Sequence, residues 1–317
     1  MKKDLISIKD LTTQEIEELF NLAVELKRNK AKFSKALAGK TLALIFQKPS
    51  NRTRVSFEVG MYQLGGNSIY LSPGEINLGV RETIKDAAKT ISRYVDGIVL
   101  RTFEHQNCLD MASASGVPVI NGLSDFSHPC QALADLFTIG EKFSRLNNAS
   151  QKVAKRLKGI TLAYVGDGNN VCNSLLFAAA KTGMNIAVAT PAGYAPDPEV
   201  VKQAKEIAKQ TFSQITITDD PLSAVNGAGV VYTDVWASMG QEEEIQERRK
   251  IFAKFQVNKD LVSLANKNVL IMHCLPAHRG EEITDEVIDS KNSVVFDQAE
   301  NRLHVQKAIL ITMLGKP

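Results

Sequence analysis

Apolar, β-branched runs recur along this chain with stretches of helical periodicity between them, and this alternation restricts the fold more than any other feature. Runs at 41–46, 68–71, 97–101, 117–120, 160–165, 185–189, 215–218, 230–233 and 269–272 read as strands, and a late run at 293–296 as a further short one. Between them apolar residues return at helical spacing, as Phe57, Met61 and Leu64 do beside Val55, Val59 and Tyr62. Strands apolar along their whole length, separated by helices, form βαβ units whose parallel sheets are buried on both faces. With 317 residues the chain has room for about two domains of roughly 150 residues.

The pattern breaks near 141–158, a polar stretch holding the turn-like pair Asn147-Asn148, after a helix expected over 129–143. The expected division is therefore a first domain of residues 1–145 and a second of residues 146–298. A final helix, beginning near 299 and ending near 314, is long enough to return to the first domain and to bring residues 299–317 with it.

Charge narrows the function. Thirty-eight Lys and Arg against 35 Asp and Glu give a net charge of +3, which argues against a dedicated nucleic-acid binder with its basic stripe. No apolar run approaches the roughly 18 residues that span a bilayer. The start, MKKDLISIKD, has no apolar core for a signal peptide, and Asp4, Asp10, Glu15, Glu17 and Glu18 oppose a transit peptide. A cytoplasmic protein is expected. Cys108, Cys130, Cys172 and Cys274 are 22, 42 and 102 residues apart, without metal-ligand spacing, so the first three read as buried thiols.

Polar motifs cluster where strands should end. After Phe46 come Lys48, Pro49, Ser50, Asn51, Arg52, Thr53 and Arg54, at a strand-to-helix switch. A helix N-terminus offers unpaired N–H groups and the positive end of its dipole, and Arg adds a fork that grips phosphate oxygens. Arg101 ends another strand, and His128 precedes Pro129 at a helix start with Gln131 one turn on. Ligands of open parallel sheets gather at the carboxyl ends of strands. By itself a histidine in this setting is more often structural.

The second half opens with Gly166-Asp-Gly168-Asn-Asn-Val171, a partial dinucleotide signature. Val171 stands where a third Gly belongs, and the following strand ends in Ala189-Thr190-Pro191 without the acid that would hold a ribose. Later strand ends carry Asp234, suited to an ammonium group, and His273-Cys274-Leu275-Pro276. Cys274 reads as a packing thiol, a nucleophile or a substrate-contacting thiol. Adjacent strand residues face opposite ways, so His273 beside it does not make a Cys–His pair.

Five motifs in order, Ser50–Arg54, His128–Gln131, Asp167–Ser174, Asp234–Gly240 and His273–Pro276, resemble the aspartate/ornithine carbamoyltransferase family over about residues 5–314. The resemblance implies an α/β fold of two domains, each a parallel sheet flanked by helices, the last helix returning to the first domain. It implies transfer of the carbamoyl group of carbamoyl phosphate to L-ornithine, giving citrulline and phosphate, in arginine metabolism, biosynthesis included. No metal and no cofactor is implied. Partners would be the two substrates and further copies of the chain, as a homotrimer or a multiple of trimers, with no nucleic acid and no membrane.

By the same resemblance carbamoyl phosphate is held by Ser50, Asn51, Arg52, Thr53, Arg101, His128, Gln131, Cys274, Leu275 and Arg302. Asn77 stands where the family often has Gln, and Asn51 where it commonly has Thr. Ornithine is read by Asn170, Asp234, Ser238 and Met239, a pattern unlike the cationic loop of the aspartate enzymes. Arg52, Arg101, His128, Asp234 and Cys274 are the implied catalytic residues. Other readings are another amine acceptor such as putrescine or an acylated ornithine, a binding protein that kept the fold, and a nucleotide-binding module.

Overall fold

A computed structural model describes residues 4–144, 152–237 and 244–315. The chain divides into two units, Met1–Phe137 with Glu300–Pro317, and Thr138–Ala299. The expected boundary at 145/146 falls outside the described residues.

The first unit is built on a sheet of β1 (Thr41–Phe46), β2 (Asn67–Leu71), β3 (Gly97–Arg101) and β4 (Val119–Leu123), in the order β2-β1-β3-β4 and parallel throughout. The central strands are buried residue after residue, as expected of a sheet covered on both faces. One face packs Ala43, Ile45, Ile98 and Leu100 against Ile84, Ala87, Cys108 and Met111. The helix Thr13–Arg28 starts with a reciprocal capping box between Thr12 and Glu15 and buries Ile16, Leu19, Phe20, Ala23 and Leu26, one stripe at helical spacing.

The strand expected at 117–120 forms two residues later. Pro118 has no N–H for a ladder, and Leu5 pairs alongside instead, donating to the Val119 carbonyl at 2.9 Å and accepting from the Asn121 N–H at 2.8 Å. Asn121 obscured this extension because a polar residue inside a core strand needs a dedicated partner. It has one, donating from Nδ2 to the Ile6 carbonyl at 3.0 Å.

The second unit holds β5 (Thr161–Val165), β6 (Asn185–Ala189), β7 (Ile215–Thr218), β8 (Val230–Thr233) and β9 (Leu270–His273), in the order β7-β6-β5-β8-β9, again all parallel. The late run at 293–296 is not a strand. Ser293 makes a single bridge to Ile271, and the helix Val295–Leu314 starts two residues later, with Val295 buried in the core beside Ile271 and Ile283. That helix begins a turn earlier than expected, and its residues from Glu300 on belong to the first unit. There Lys27 Nζ donates to Asn301 Oδ1 at 2.8 Å, and Lys307 Nζ to Gln63 Oε1 at 2.8 Å.

In both sheets one strand has its successor on one side and a later strand on the other, β1 between β2 and β3, and β5 between β6 and β8. Such switch points leave a crevice at the carboxyl ends of the strands.

Candidate active site

In the first unit three carboxyl ends finish level, with Phe46 of β1 paired to Arg101 of β3 and Arg101 to Leu123 of β4. Past β1, Ser50 is extended and caps the helix Asn51–Gln63, accepting from the Thr53 N–H at 3.4 Å. Asn51 and Arg52 on the first turn are exposed, while Thr53 is buried. The cap leaves the other N–H groups of that turn, with Arg52, available to an anion.

Beyond β4 a tight turn hands the chain to the helix Pro129–Ser144. Ser124 N–H donates to the Ser127 carbonyl at 3.0 Å, and Ser124 Oγ sits 2.7 Å from His105 Nδ1. His128 follows and is buried. Burial, then the guanidiniums of Arg302 and Arg101, hold its pKa well below the ordinary histidine value, so its imidazole is neutral at pH 7.

Arg302 draws the expected residues together. Its Nη1 donates to Gln131 Oε1 at 2.6 Å and its Nη2 to Thr53 Oγ1 at 2.9 Å. Gln131 Nε2 in turn donates to the buried Asp135 at 2.8 Å, which fixes which end of the amide faces Arg302. Asp135 was missed, although it lies one helical turn beyond Gln131, where a partner for that amide belongs.

Asn77 is held locally, in a left-handed turn at φ +40°, its amide donating to the Gly74 carbonyl at 3.4 Å. Its neighbourhood is tied to β1 by Gln47, whose Nε2 donates to the Leu78 carbonyl at 2.9 Å while its Oε1 accepts from Thr102 Oγ1. No sequence signal singled out Gln47. Lys48 lies with its ammonium 4.2 Å from the centre of the Phe103 ring, and Arg54 pairs with Glu58 over the Tyr70 ring.

The second unit assembles its group at the ends of β5, β8 and β9. Asp234, Cys274 and Asn169 meet there: Cys274 Sγ donates to Asp234 Oδ1 at 2.9 Å, and Asn169 Nδ2 donates to Asp234 Oδ2 at 2.8 Å. Asn169 also caps the helix Asn170–Thr182, accepting from the N–H groups of Val171 and Cys172. Asn170, the expected ornithine contact, is therefore the first residue of that helix. The signal for Asn169 was its place before the apolar run, as a helix cap.

Gly168 serves packing in place of a nucleotide loop. A Cβ on it would come 2.3 Å from the Pro196 nitrogen and 2.5 Å from the Ala195 carbonyl carbon.

Leu275 sits at φ +59°, rare for a branched residue. Its N–H donates to His273 Nδ1 at 2.9 Å, and His273 Nε2, which therefore carries the proton, lies 3.1 Å from Glu282 Oε1. Asp234, His273 and Cys274 offer ligand atoms within 4.8 Å of one another. Both histidine nitrogens and both Asp234 oxygens already have the protein partners named above. Ser238 and Met239 lie outside the described residues. Cys108, Cys130 and Cys172 are buried thiols as expected, and burial pushes Cys130 up to about 12.

Two family models match consecutive stretches of the chain, and the second includes residues 300–313, which the structure groups with the first unit. Residues 3–141 match the family model described as the aspartate/ornithine carbamoyltransferase carbamoyl-P binding domain, and residues 158–313 the one described as the Asp/Orn binding domain. The chain is 55% identical to an ornithine carbamoyltransferase of Thermococcus kodakarensis, covering 99% of this chain and 96% of the relative. It is 53% identical, with the same coverage, to a Pyrococcus furiosus protein named an anabolic ornithine carbamoyltransferase. The solved structure of ornithine carbamoyltransferase from Pyrococcus furiosus superposes with a TM-score of 0.92 at 53% identity, over 98% of this chain and 96% of that one.

Proposed function

Because the chain belongs to the aspartate/ornithine carbamoyltransferase family, we propose that it transfers the carbamoyl group of carbamoyl phosphate to the δ-amine of L-ornithine, giving citrulline and phosphate. The first unit binds the donor. The phosphate docks on the first turn of the helix Asn51–Gln63, against Ser50, Asn51, Arg52 and Thr53, where N–H groups, helix dipole and guanidinium act together. Arg101, His128, Gln131 and Arg302 surround the carbamoyl carbonyl. The observation that carries this half is Arg302 bound at once to Thr53 and Gln131, with His128 held neutral beside it. Asn77 is a further contact on this side.

The second unit binds the acceptor. Asp234 pairs with the α-ammonium, while Asn170 and the segment carrying Ser238 and Met239 meet the other polar end. Cys274 and Leu275 lie against the reacting atoms. The Cys274–Asp234 hydrogen bond supports an orienting role for the thiol.

In the reaction the lone pair of the neutral δ-nitrogen attacks the carbamoyl carbon. Negative charge grows on the carbonyl oxygen, where Arg101 and the neutral His128 donate to it. The bond from carbon to the phosphate oxygen then breaks, phosphate leaves toward Arg52, and the nitrogen gives up a proton to the leaving phosphate or to solvent. Holding two substrates in line contributes up to roughly 7–11 kcal/mol of the barrier reduction.

The test is citrulline formation from carbamoyl phosphate with ornithine, putrescine, N-acetylornithine and aspartate in parallel. Turnover confined to ornithine is the expected result, and turnover confined to another amine overturns the acceptor half alone. Undiminished turnover of Arg52→Ala at low carbamoyl phosphate would sink the donor site. The anabolic relative supports work in the direction of arginine biosynthesis. Assembly as a trimer or a multiple of trimers is part of the same reading, tested by light scattering on the purified chain. So is a cytoplasmic location; no helix among the described residues is long and apolar enough to cross a membrane.

A further inference from the structure

Arg248 lies outside every motif singled out by sequence, yet it is a buried arginine on the helix Ile245–Phe252. Its Nη1 donates to Asp167 Oδ2 at 3.0 Å and to the Trp236 carbonyl at 2.8 Å, and its Nε to Glu244 Oε2 at 2.8 Å. The guanidinium stands 4.8 Å from the centre of the Tyr194 ring. Tyr194 and Trp236 both pack on Phe252, at 4.9 Å and 5.8 Å between ring centres. Arg248 and Asp167 are both buried, so their pair is weakly screened by solvent.

The two loops tied by this guanidinium carry the acceptor groups. Asp167 follows β5 and is three residues before Asn170, and Trp236 follows β8 two residues after Asp234. Asn169 Nδ2 to Asp234 Oδ2 is a second tie between the same loops. The charges also matter. Asp167 and Asp234 are near enough to interact, and burial lifts the Asp167 carboxyl to about 6 even with Arg248 beside it. Glu244 adds a further negative charge on the same side. At neutral pH Asp167 is ionised, and Arg248 balances it.

We propose that Arg248 is a positioning residue for the amino-acid acceptor: by neutralising Asp167 between the 166–170 loop and the turn after β8, it leaves Asp234 alone to present its charge to the substrate ammonium. Without it, a second buried carboxylate competes for that ammonium. This rests on the acceptor reading above.

The experiment measures KM for ornithine, KM for carbamoyl phosphate and thermal stability for the full-length wild type, Arg248→Met, Asp167→Asn and the double variant. Arg248→Met is expected to raise the ornithine KM by about tenfold or more, on the scale of breaking a buried ion pair, with the carbamoyl phosphate KM unchanged within about twofold. The double variant is expected to recover most of that loss, because it removes the stranded carboxylate along with its partner. Recovery separates charge balance from scaffolding, since a scaffold contact to the Trp236 carbonyl stays lost in both variants. Equal rises in both KM values, or a double variant no better than Arg248→Met, overturns the inference. Should Arg248→Met not fold, the double variant is compared with Asp167→Asn: similar ornithine KM values support the inference, and a further rise of about tenfold overturns it. A wild type that ignores ornithine and uses another amine sinks the acceptor reading instead, a result distinct from either.

Discussion

Arg302 and Gln131 are 171 positions apart, and Arg302 Nη1 donates to Gln131 Oε1 at 2.6 Å while the same guanidinium holds Thr53 Oγ1 at 2.9 Å. One side chain from the last helix thus joins the starts of two others. Arg302→Met leaves both oxygens buried without that donor, at about 1–3 kcal/mol for each group. Denaturant unfolding is expected to show lower stability, and the carbamoyl phosphate KM to rise at least about tenfold. Arg302→Lys, a point charge without the fork, should restore only part of either. Unaltered donor affinity in Arg302→Met would separate this residue from the donor site.

His128 makes the acid limb of the stability curve informative. Its folded pKa lies below the value of the unfolded chain because burial, Arg302 and Arg101 all oppose a positive charge. The unfolded chain therefore takes up a proton that the native state refuses. The stabilisation is present above pH 6.5 and is lost as pH falls, at up to about 1.4 kcal/mol per unit. His128→Gln is expected to flatten the drop in melting temperature between pH 7 and 5 relative to wild type. An equally steep drop in the variant would show that His128 takes up a proton as readily in the native state as in the unfolded chain.

Cys274 donates to Asp234 at 2.9 Å. Cys274→Ser keeps a donor there, and its ornithine KM is expected to stay within about threefold of wild type, whereas Cys274→Ala should lose roughly tenfold. Both should retain turnover. Abolition of turnover in both, with substrate binding intact, would instead mark the thiol as a covalent nucleophile.

Gly168 tests packing beside Asn169. A methyl group there meets the backbone of 195–196 below 3 Å, and backbone cannot step aside as a flexible side chain can. Gly168→Ala is expected to cost about 1–3 kcal/mol in unfolding and to raise the ornithine KM with little effect on carbamoyl phosphate. A variant as stable as wild type would mean that the loop relocates freely.

Much of this architecture was legible in the chain as written. Central parallel strands covered on both faces need largely apolar runs, so β1, β3 and β8 stand where TLALIF, GIVLR and VVYT occur, and the less buried β6 and β7 where NIAVA and ITIT keep β-branched or apolar residues. The exceptions have local causes. Pro118 and Asn121 disguised β4, whose outer partner is the Leu5 segment, and Val294-Val295 imitated a strand because helix and strand cores draw on the same β-branched residues.

The sequence by itself determined the strand–helix alternation and the polar turns at the strand ends, including the helix start at Ser50, because these depend on backbone chemistry within a few residues. Only the tertiary structure decided that Arg302 meets Thr53 and Gln131, that Asp135 fixes Gln131, and that Arg248 bridges Asp167 and Trp236. Those pairings depend on the order of strands in each sheet and on which helix packs where. Periodicity marks which face of an element is buried, but it carries no information about which distant element covers that face.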